Sequence, residues 1–336
     1  MHLKVLLFEF ICGGGLAGRP LPDSLAREGK MMLQALVREL KSLPDIEPII
    51  LLDRRCSLED VPERARIVYL EQNQQYQFVV EMMLPDCDLF WPIAPETDDV
   101  LSSLAELAKK TKVGALLSTP SALRLCASKY RTCRHLLRSK INAVETKYLA
   151  DVSPLDHDAM VVKPDDGVGC EGSFVVLGRQ EWQQVVDKPA RAEHLVVQPY
   201  LPGRSLSLSC LFRHGQGWLL CCNEQELLID KGRLQLTACR VNVADQLASD
   251  YQALVEQVAV AIPGLWGYAG IDLIESQQYG AVVLEINPRL TTSYCGIQAA
   301  TGINVAEQVI KLLDEAPALR KNVNQTITVD IHAGIH

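Results

Sequence analysis

Near its C-terminal end the chain carries Val283-Leu284-Glu285-Ile286-Asn287-Pro288-Arg289-Leu290. Read as a strand, it turns Val283, Glu285, Asn287 and Arg289 one way and Leu284 and Ile286 the other. Pro288 ends the ladder, because it has no N–H to donate. Upstream, Gly270-Ile271-Asp272-Leu273-Ile274 repeats the pattern, with apolar Ile271 and Leu273 opposite Asp272. If the two segments pair as an antiparallel ribbon through polar Glu275–Gly280, Asp272 lies across from Glu285 and Asn287. Three oxygen ligands then converge. That set suits Mg²⁺, which favours oxygen and commonly shares its shell with substrate phosphates; Mn²⁺ accepts the same ligands. Arg289 is placed to grip a phosphate. The rival reading is a strand whose polar face is merely solvated, and the joint presence of Asp, Glu, Asn and Arg argues against it.

A second group lies mid-chain. Met160-Val161-Val162-Lys163-Pro164 puts Lys163 on the polar side of a short strand, and Asp165-Asp166-Gly167-Val168-Gly169-Cys170-Glu171-Gly172 follows at once. Glycine lets backbone N–H groups approach an anion without a Cβ in the way, and the lysine adds a point charge for phosphate oxygens. The loop lacks the GK[ST] of a P-loop, and a strand rather than a helix follows it, which excludes a dinucleotide fingerprint. Taken alone, a plain glycine-rich hairpin explains it equally well. The two aspartates look out of place beside a phosphate and read as turn formers.

The elements that must position these groups fall into two parts. Strand Leu3–Phe10, a helix with Leu25, Met32, Leu36 and Leu40 at helical spacing, and strands Glu47–Leu52, Arg66–Leu70, Asp88–Pro92 and Gly114–Leu117 alternate with helices at Tyr76–Leu84 and Thr97–Lys110. Such alternation predicts a parallel sheet with helices on both faces, with ligands beyond the carboxyl ends of its strands. Cys12–Gly18, including Gly13, Gly14 and Gly15, and Pro92–Glu96 fall at such ends. The glycine segment is as consistent with a tight turn as with substrate contact. From about Thr119 a single helical stretch, with Ser128-Lys129 near its middle, runs to about Arg138. Strands dominate after it, among them Ser205–Phe212, Trp218–Cys222 and Leu234–Ala238, with a helix at Tyr251–Ile262.

Composition excludes several classes. The 336 residues, 48% of them hydrophobic and 6% aromatic, describe an ordinary globular protein, and no apolar run reaches the length of a membrane span. A formal charge of −8 disfavours a broad nucleic-acid surface, though a local pair of cations and a metal suffice for ATP. The eleven cysteines are scattered and odd in number, which points to reduced thiols and a cytoplasmic setting.

Together these residues resemble the ATP-grasp carboxylate–amine ligases. Lys129 looks like that superfamily's first nucleotide lysine and Lys163 like its second. Asp166, Gly167, Val168, Gly169 and Gly172 resemble its flexible loop over the phosphates. Gln198, Pro199, Tyr200 and Leu201 resemble the adenine hinge, by side chain at Gln198 and by backbone at Tyr200 and Leu201. Asp272, Glu285 and Asn287 match the metal ligands. Arg289 matches a residue that holds the γ-phosphate or the acyl phosphate, and with Lys163 it makes up the catalytic pair. Thr291, Thr292 and Ser293 are candidates for the reacting carboxylate, or else turn formers. Ser128 stands where many relatives carry Asp, and no ribose contact is assigned near Ser205, where many carry Glu.

The resemblance implies an α/β chain: a parallel-sheet pre-ATP-grasp domain over 1–118, the two lobes of an α+β ATP-grasp domain over 119–200 and 201–316, and a tail or edge strand over 317–336. The opening glycine loop, Asn223-Glu224-Gln225 and the run from Asn287 to Ser293 look most like the tyramine–glutamate ligase group of methanofuran-type cofactor synthesis. The implied reaction consumes ATP with Mg²⁺ and joins a small carboxylic acid to an amine; a homodimer is compatible with it. Three rivals stand beside it. One is a carboxylase or phosphotransferase on the same nucleotide site, and another is a non-catalytic nucleotide-binding regulator. The third is a nicotinamide enzyme using Gly13, Gly15 and Gly18, whose best acidic partner would be Asp53.

Overall fold

β1 (Leu3–Glu9) buries apolar side chains on both faces, Val5 and Leu7 on one and Leu6 and Phe8 on the other. Such a strand needs helices above and below it. It is central in a parallel sheet with β2 (Ile46–Asp53), β3 (Arg66–Leu70), β4 (Leu89–Ile93) and β5 (Gly114–Ala115), ordered β3-β2-β1-β4-β5. α1 (Asp23–Lys41) covers one face through Leu33, Leu36 and Leu40. α2 (Tyr76–Met83) and α3 (Val100–Thr111) cover the other. The computed structural model describes residues 2–152, 159–178, 181–183, 194–243, 248–331 and 334–335.

The second sheet holds eleven strands. Its main path joins β6 (Lys147–Tyr148), β7 (Met160–Pro164), β8 (Phe174–Val176), β9 (Leu195–Pro199), β10 (Arg204–Arg213), β11 (Gln216–Asp230), β12 (Arg233–Val241), β13 (Gly267–Ser276) and β14 (Gly280–Asn287). They lie in the order β14-β13-β10-β11-β12-β8-β7-β9-β6, while β15 (Ile327–Asp330) pairs with β12 and with β16 (Gly334–Ile335). This is the expected α/β chain, a parallel-sheet domain followed by one built on an antiparallel sheet. No described helix is long and apolar enough to cross a membrane, and the eleven cysteines are free thiols.

Three local expectations need correction. The helical stretch from Thr119 is two helices, α4 (Pro120–Cys126) and α5 (Lys129–Arg138). Ser128 has an extended backbone between them and accepts from Arg131 N–H at 3.1 Å, an N-cap that makes Lys129 the first residue of α5 instead of a mid-helix residue. β11 does not stop at Cys222 but continues through polar Asn223-Glu224-Gln225 to Asp230, because β12 pairs with it along that length. The helix expected from Thr97 begins at Val100; Asp98 and Asp99, with φ of 54° and 57°, take left-handed backbone and set off a separate turn.

One core cluster joins the two sheets. Tyr294, Ile297 and Ala300 of the helix Tyr294–Thr301, and Val305 and Val309 of the helix Val305–Lys311, pack between α1 and the antiparallel sheet. Glu39 of α1 is buried in that seam, where Tyr294 Oη donates to its carboxylate at 2.6 Å and Ala306 N–H at 2.7 Å. Burial outweighs these donors and pushes its pKa up to about 7. The folded state therefore holds a proton that the unfolded chain releases near pH 4.5. Stability from this group is complete below that pH and is lost as pH rises toward 7, by about 3 kcal/mol. Glu39→Gln keeps both acceptor contacts, so its denaturation midpoint is expected to gain on wild type from pH 5 to about pH 7 and to level off above that. A gap that does not change with pH would rule this out.

Candidate functional site

β13 and β14 pair antiparallel, with Asp272 opposite Glu285 and Gly270 opposite Asn287. The register shifts between Asp272 and Leu273, so that Leu273 meets Val283 and Leu284 is the extra residue of a bulge. Strict alternation therefore fails at this point. Val283 is fully buried in the core with Ile286, while Leu284 lines a cavity together with Glu285, Asn287 and Arg289. Val283 is also held from behind, its N–H to Asn142 O at 3.0 Å and its carbonyl from Val144 N–H at 2.9 Å.

The cavity, of about 520 Å³, is lined by the inner face of the antiparallel sheet, the glycine loop and α1. Lys129 and Lys163 both line it, their Nζ atoms 3.4 and 3.7 Å from Glu285 Oε2. Asp165 explains its own presence beside a phosphate loop. Its carboxylate accepts from Tyr130 N–H at 2.8 Å and its carbonyl from Lys129 N–H at 3.0 Å, so it anchors the start of α5. Lys129 Nζ reaches the Gly167 carbonyl, which ties the same lysine to the loop.

Of the loop residues, Gly167, Gly169, Cys170, Glu171 and Ser173 line the cavity. Gly169 and Gly172 have φ of 58° and 69°, a conformation side chains resist, and open space surrounds Gly169. Asp166 turns away: its carbonyl accepts from Thr97 Oγ1 at 2.8 Å and its carboxylate from Asp98 N–H at 3.4 Å. Neither Val168 nor Gly172 is a lining residue. At the hinge, Gln198, Pro199, Tyr200 and Leu201 all line the cavity. Gln198 donates to Thr146 Oγ1 at 3.0 Å, and the Tyr200 N–H is taken by the Ala159 carbonyl at 2.9 Å. Val161, Ile274 and Leu284 form apolar walls beside the hinge.

Arg289 is partly buried and paired with buried Glu96, whose carboxylate oxygens lie 3.1 and 3.0 Å from its Nε. Burial favours the neutral guanidine, but Glu96 more than reverses that and keeps Arg289 charged. Thr291, Thr292 and Ser293 also line the cavity. Thr292 Oγ1 donates to Glu28, and Thr291 and Ser293 join the hydroxyls of Tyr268 and Ser209 in a cluster at 2.9–3.3 Å. Gly13, Gly14 and Gly15 do not line it. They are packed on Phe8, Leu70 and Phe10.

The two facing carboxylates shift in opposite directions. Burial, then repulsion from Glu285, pushes Asp272 up, against the Ser207 and Gln225 hydrogen bonds. Burial would push Glu285 up as well, but Lys129 and Lys163 overcome it and hold it well below the usual carboxylate range. The donors that reach Asp272 are neutral, the Ser207 hydroxyl with Gln225 Nε2 at 3.3 Å and Asn287 Nδ2 at 3.1 Å. Two partly buried carboxylates and a carboxamide oxygen, with too little positive charge beside Asp272, are a donor set that fits Mg²⁺.

Sequence reasoning missed Glu28, Glu96 and Gln225 as site residues. A signal existed for Glu28: it lies three residues after Leu25 and four before Met32, so a carboxylate interrupts an apolar helical stripe. Gln225 required the full length of β11. Glu96 required the contact between the two domains, since only its place at the end of β4 was visible.

Residues 46–123 match the sequence model of the pre ATP-grasp 3 domain, and residues 126–293, half of the chain, match that of the ATP-grasp domain. The chain belongs to the ATP-grasp family. Over 309 residues it is 24% identical to the tyramine–L-glutamate ligase of Methanocaldococcus fervens, covering 91% of this chain and 93% of that one. Among solved structures it resembles an ATP-grasp superfamily protein from Archaeoglobus fulgidus, with a TM-score of 0.71 and 24% identity over 98% of this chain and 92% of the other. Its fold is also that of the biotin carboxylase domain of Hydrogenobacter thermophilus 2-oxoglutarate carboxylase, solved as a dimer with MgADP and bicarbonate (TM-score 0.71, 15% identity, 98% and 74% covered). Family and ligase-named relatives place this ATP-grasp protein among the ATP-dependent carboxylate–amine ligases.

Proposed function

We propose that the protein forms an amide between a small carboxylic acid, L-glutamate as the first choice, and an amine such as tyramine, with ATP converted to ADP and phosphate. A carboxylate oxygen of the acid attacks the γ-phosphorus, the bond to ADP breaks, and an acyl phosphate results. The amine nitrogen then attacks the acyl carbon; phosphate leaves and takes up the proton that the nitrogen loses. The observation that carries this reading is the convergence of Asp272, Glu285 and Asn287 with Lys129, Lys163 and Arg289 on one cavity.

Phosphoryl transfer depends mainly on positioning and on neutralising spread charge. Lys163, delivered by a strand, and Lys129, at the first position of α5, supply fixed charge on the triphosphate side. Asp272, Glu285 and Asn287 would hold Mg²⁺, which supplies Lewis-acid neutralisation of phosphate oxygens when bound. Of the loop residues that line the cavity, Gly169 and Cys170 offer their N–H groups to the phosphates, and the loop keeps water from the reacting carbon. Arg289, kept charged and oriented by Glu96, faces the γ-phosphate and the acyl phosphate. Gln198, Tyr200 and Leu201 receive the adenine. The tyramine and L-glutamate in the names of two Methanocaldococcus relatives motivate the choice of acid and amine.

ADP release measured across acid and amine pairs tests the reading, with the amide identified by mass spectrometry. Release that requires both partners and yields the amide is expected. ADP formation indifferent to the amine, with no amide product, would overturn it.

A further inference from the structure

Glu28 stands in the second turn of α1 and lines the cavity from the parallel-sheet side. Its carboxylate accepts from Thr292 Oγ1, and its charge acts on Arg289. The backbone behind it is closely held: a Cβ on neighbouring Gly29 would lie 2.5 Å from Glu9 Oε2, so α1 and Glu9 are in direct contact there. Glu28 is therefore a half-buried carboxylate on a rigid helix, aimed at the end of the cavity where Arg289 lies.

The other carboxylates of the cavity are engaged or exposed on the loop. Glu285 has two lysines, Asp272 has Gln225 and Asn287, and Glu224 has Arg204 and Arg240. Glu171 is exposed on the glycine loop. Among the described residues Glu28 forms no ion pair, and one hydroxyl is a weak return for a carboxylate withdrawn from water. A ligand that brings an ammonium group would complete it. Lys129, Lys163 and Arg289 gather anionic ligand groups at the opposite and adjoining walls, so the cavity is polarised: phosphate and carboxylate toward the cations, ammonium toward α1.

We propose that Glu28 recognises the ammonium group of an α-amino-acid substrate whose distal carboxylate is activated beside Arg289. This rests on the ligase reading given above and narrows its acid to one that carries both groups. Glu28 acts here on specificity; it does not take part in bond making. Thr292 fixes its rotamer.

The test compares amide synthesis by the full chain from L-glutamate and from glutarate, which has hydrogen in place of the ammonium group, each with tyramine. Wild type is expected to prefer glutamate. In Glu28→Gln the KM for glutamate should rise about 10- to 100-fold, the loss of one charged hydrogen-bonded contact. The KM values for glutarate and for ATP should stay within about twofold, the scale of a neutral contact. Those two also report that the variant is folded. An equal rise for both acids, or no rise for either, overturns the assignment while leaving the ligase reading intact, because amide is still made. Absence of amide from wild type with both acids brings down the ligase reading, and this assignment with it.

Discussion

Glu285→Gln is expected to lower kcat for amide synthesis by about 10³-fold or more, some ~4 kcal/mol of barrier, while the thermal midpoint remains within a few degrees of wild type. Lys129, Lys163 and Asp272 all bear on Glu285. Glutamine keeps its shape and removes its charge. The lysines then lose the anion that holds their Nζ atoms together, and the metal site loses a hard oxygen ligand. Repulsion on Asp272 disappears at the same time, which offsets part of any loss in stability. The core under the strand is untouched, because Val283 and Ile286 face the other way. Steady-state rates and a thermal melt on the same preparation check both halves. A rate within tenfold of wild type would remove Glu285 from the metal-ligand set.

Arg289→Ala should cost activity by a similar factor and stability as well. Truncation leaves Glu96 as an unpaired buried carboxylate, which typically costs 3–5 kcal/mol, about the value of a broken buried ion pair. Adding Glu96→Gln removes the stranded charge, so the double variant is expected to recover most of the stability. It should recover none of the activity, because the cation facing the γ-phosphate is still missing. Denaturation curves and kcat for the two single variants and the double variant form a complete cycle. If activity returned with stability in the double variant, Arg289 would be a structural tie between the domains and not a catalytic cation.

The ribbon that carries the acidic ligands was legible because period-two alternation and a terminating proline are local properties. The β-bulge at Leu284 was not legible. It arises from the pairing of β14 with β13 and from the way residues 142–144 bind Val283, and neither contact is written in the run of residues around it. Ser128 and Lys129 read as mid-helix because apolar spacing continues across them. The break depends on Asp165, more than thirty positions away, closing the start of α5. Asp166, read with its loop, turns toward Thr97 and Asp98 for a comparable reason: the left-handed turn that presents those groups belongs to the other domain.

What the amino-acid sequence determined by itself was the order and type of the main elements, the parallel layout of the first domain, the antiparallel ribbon of β13 and β14, and the chemistry available at the end of β14. Those follow from side-chain periodicity and from the functional groups themselves. Tertiary structure alone decided which of those groups meet. It brought Lys129 and Lys163 to within 3.4 and 3.7 Å of Glu285, set Glu96 against Arg289, and carried Glu28 from α1 to Thr292, more than 260 positions along the chain. Each of these is an electrostatic contact between distant segments. Its strength is set by burial and by the counter-charge that folding supplies, and neither quantity exists until the sheets and helices have packed.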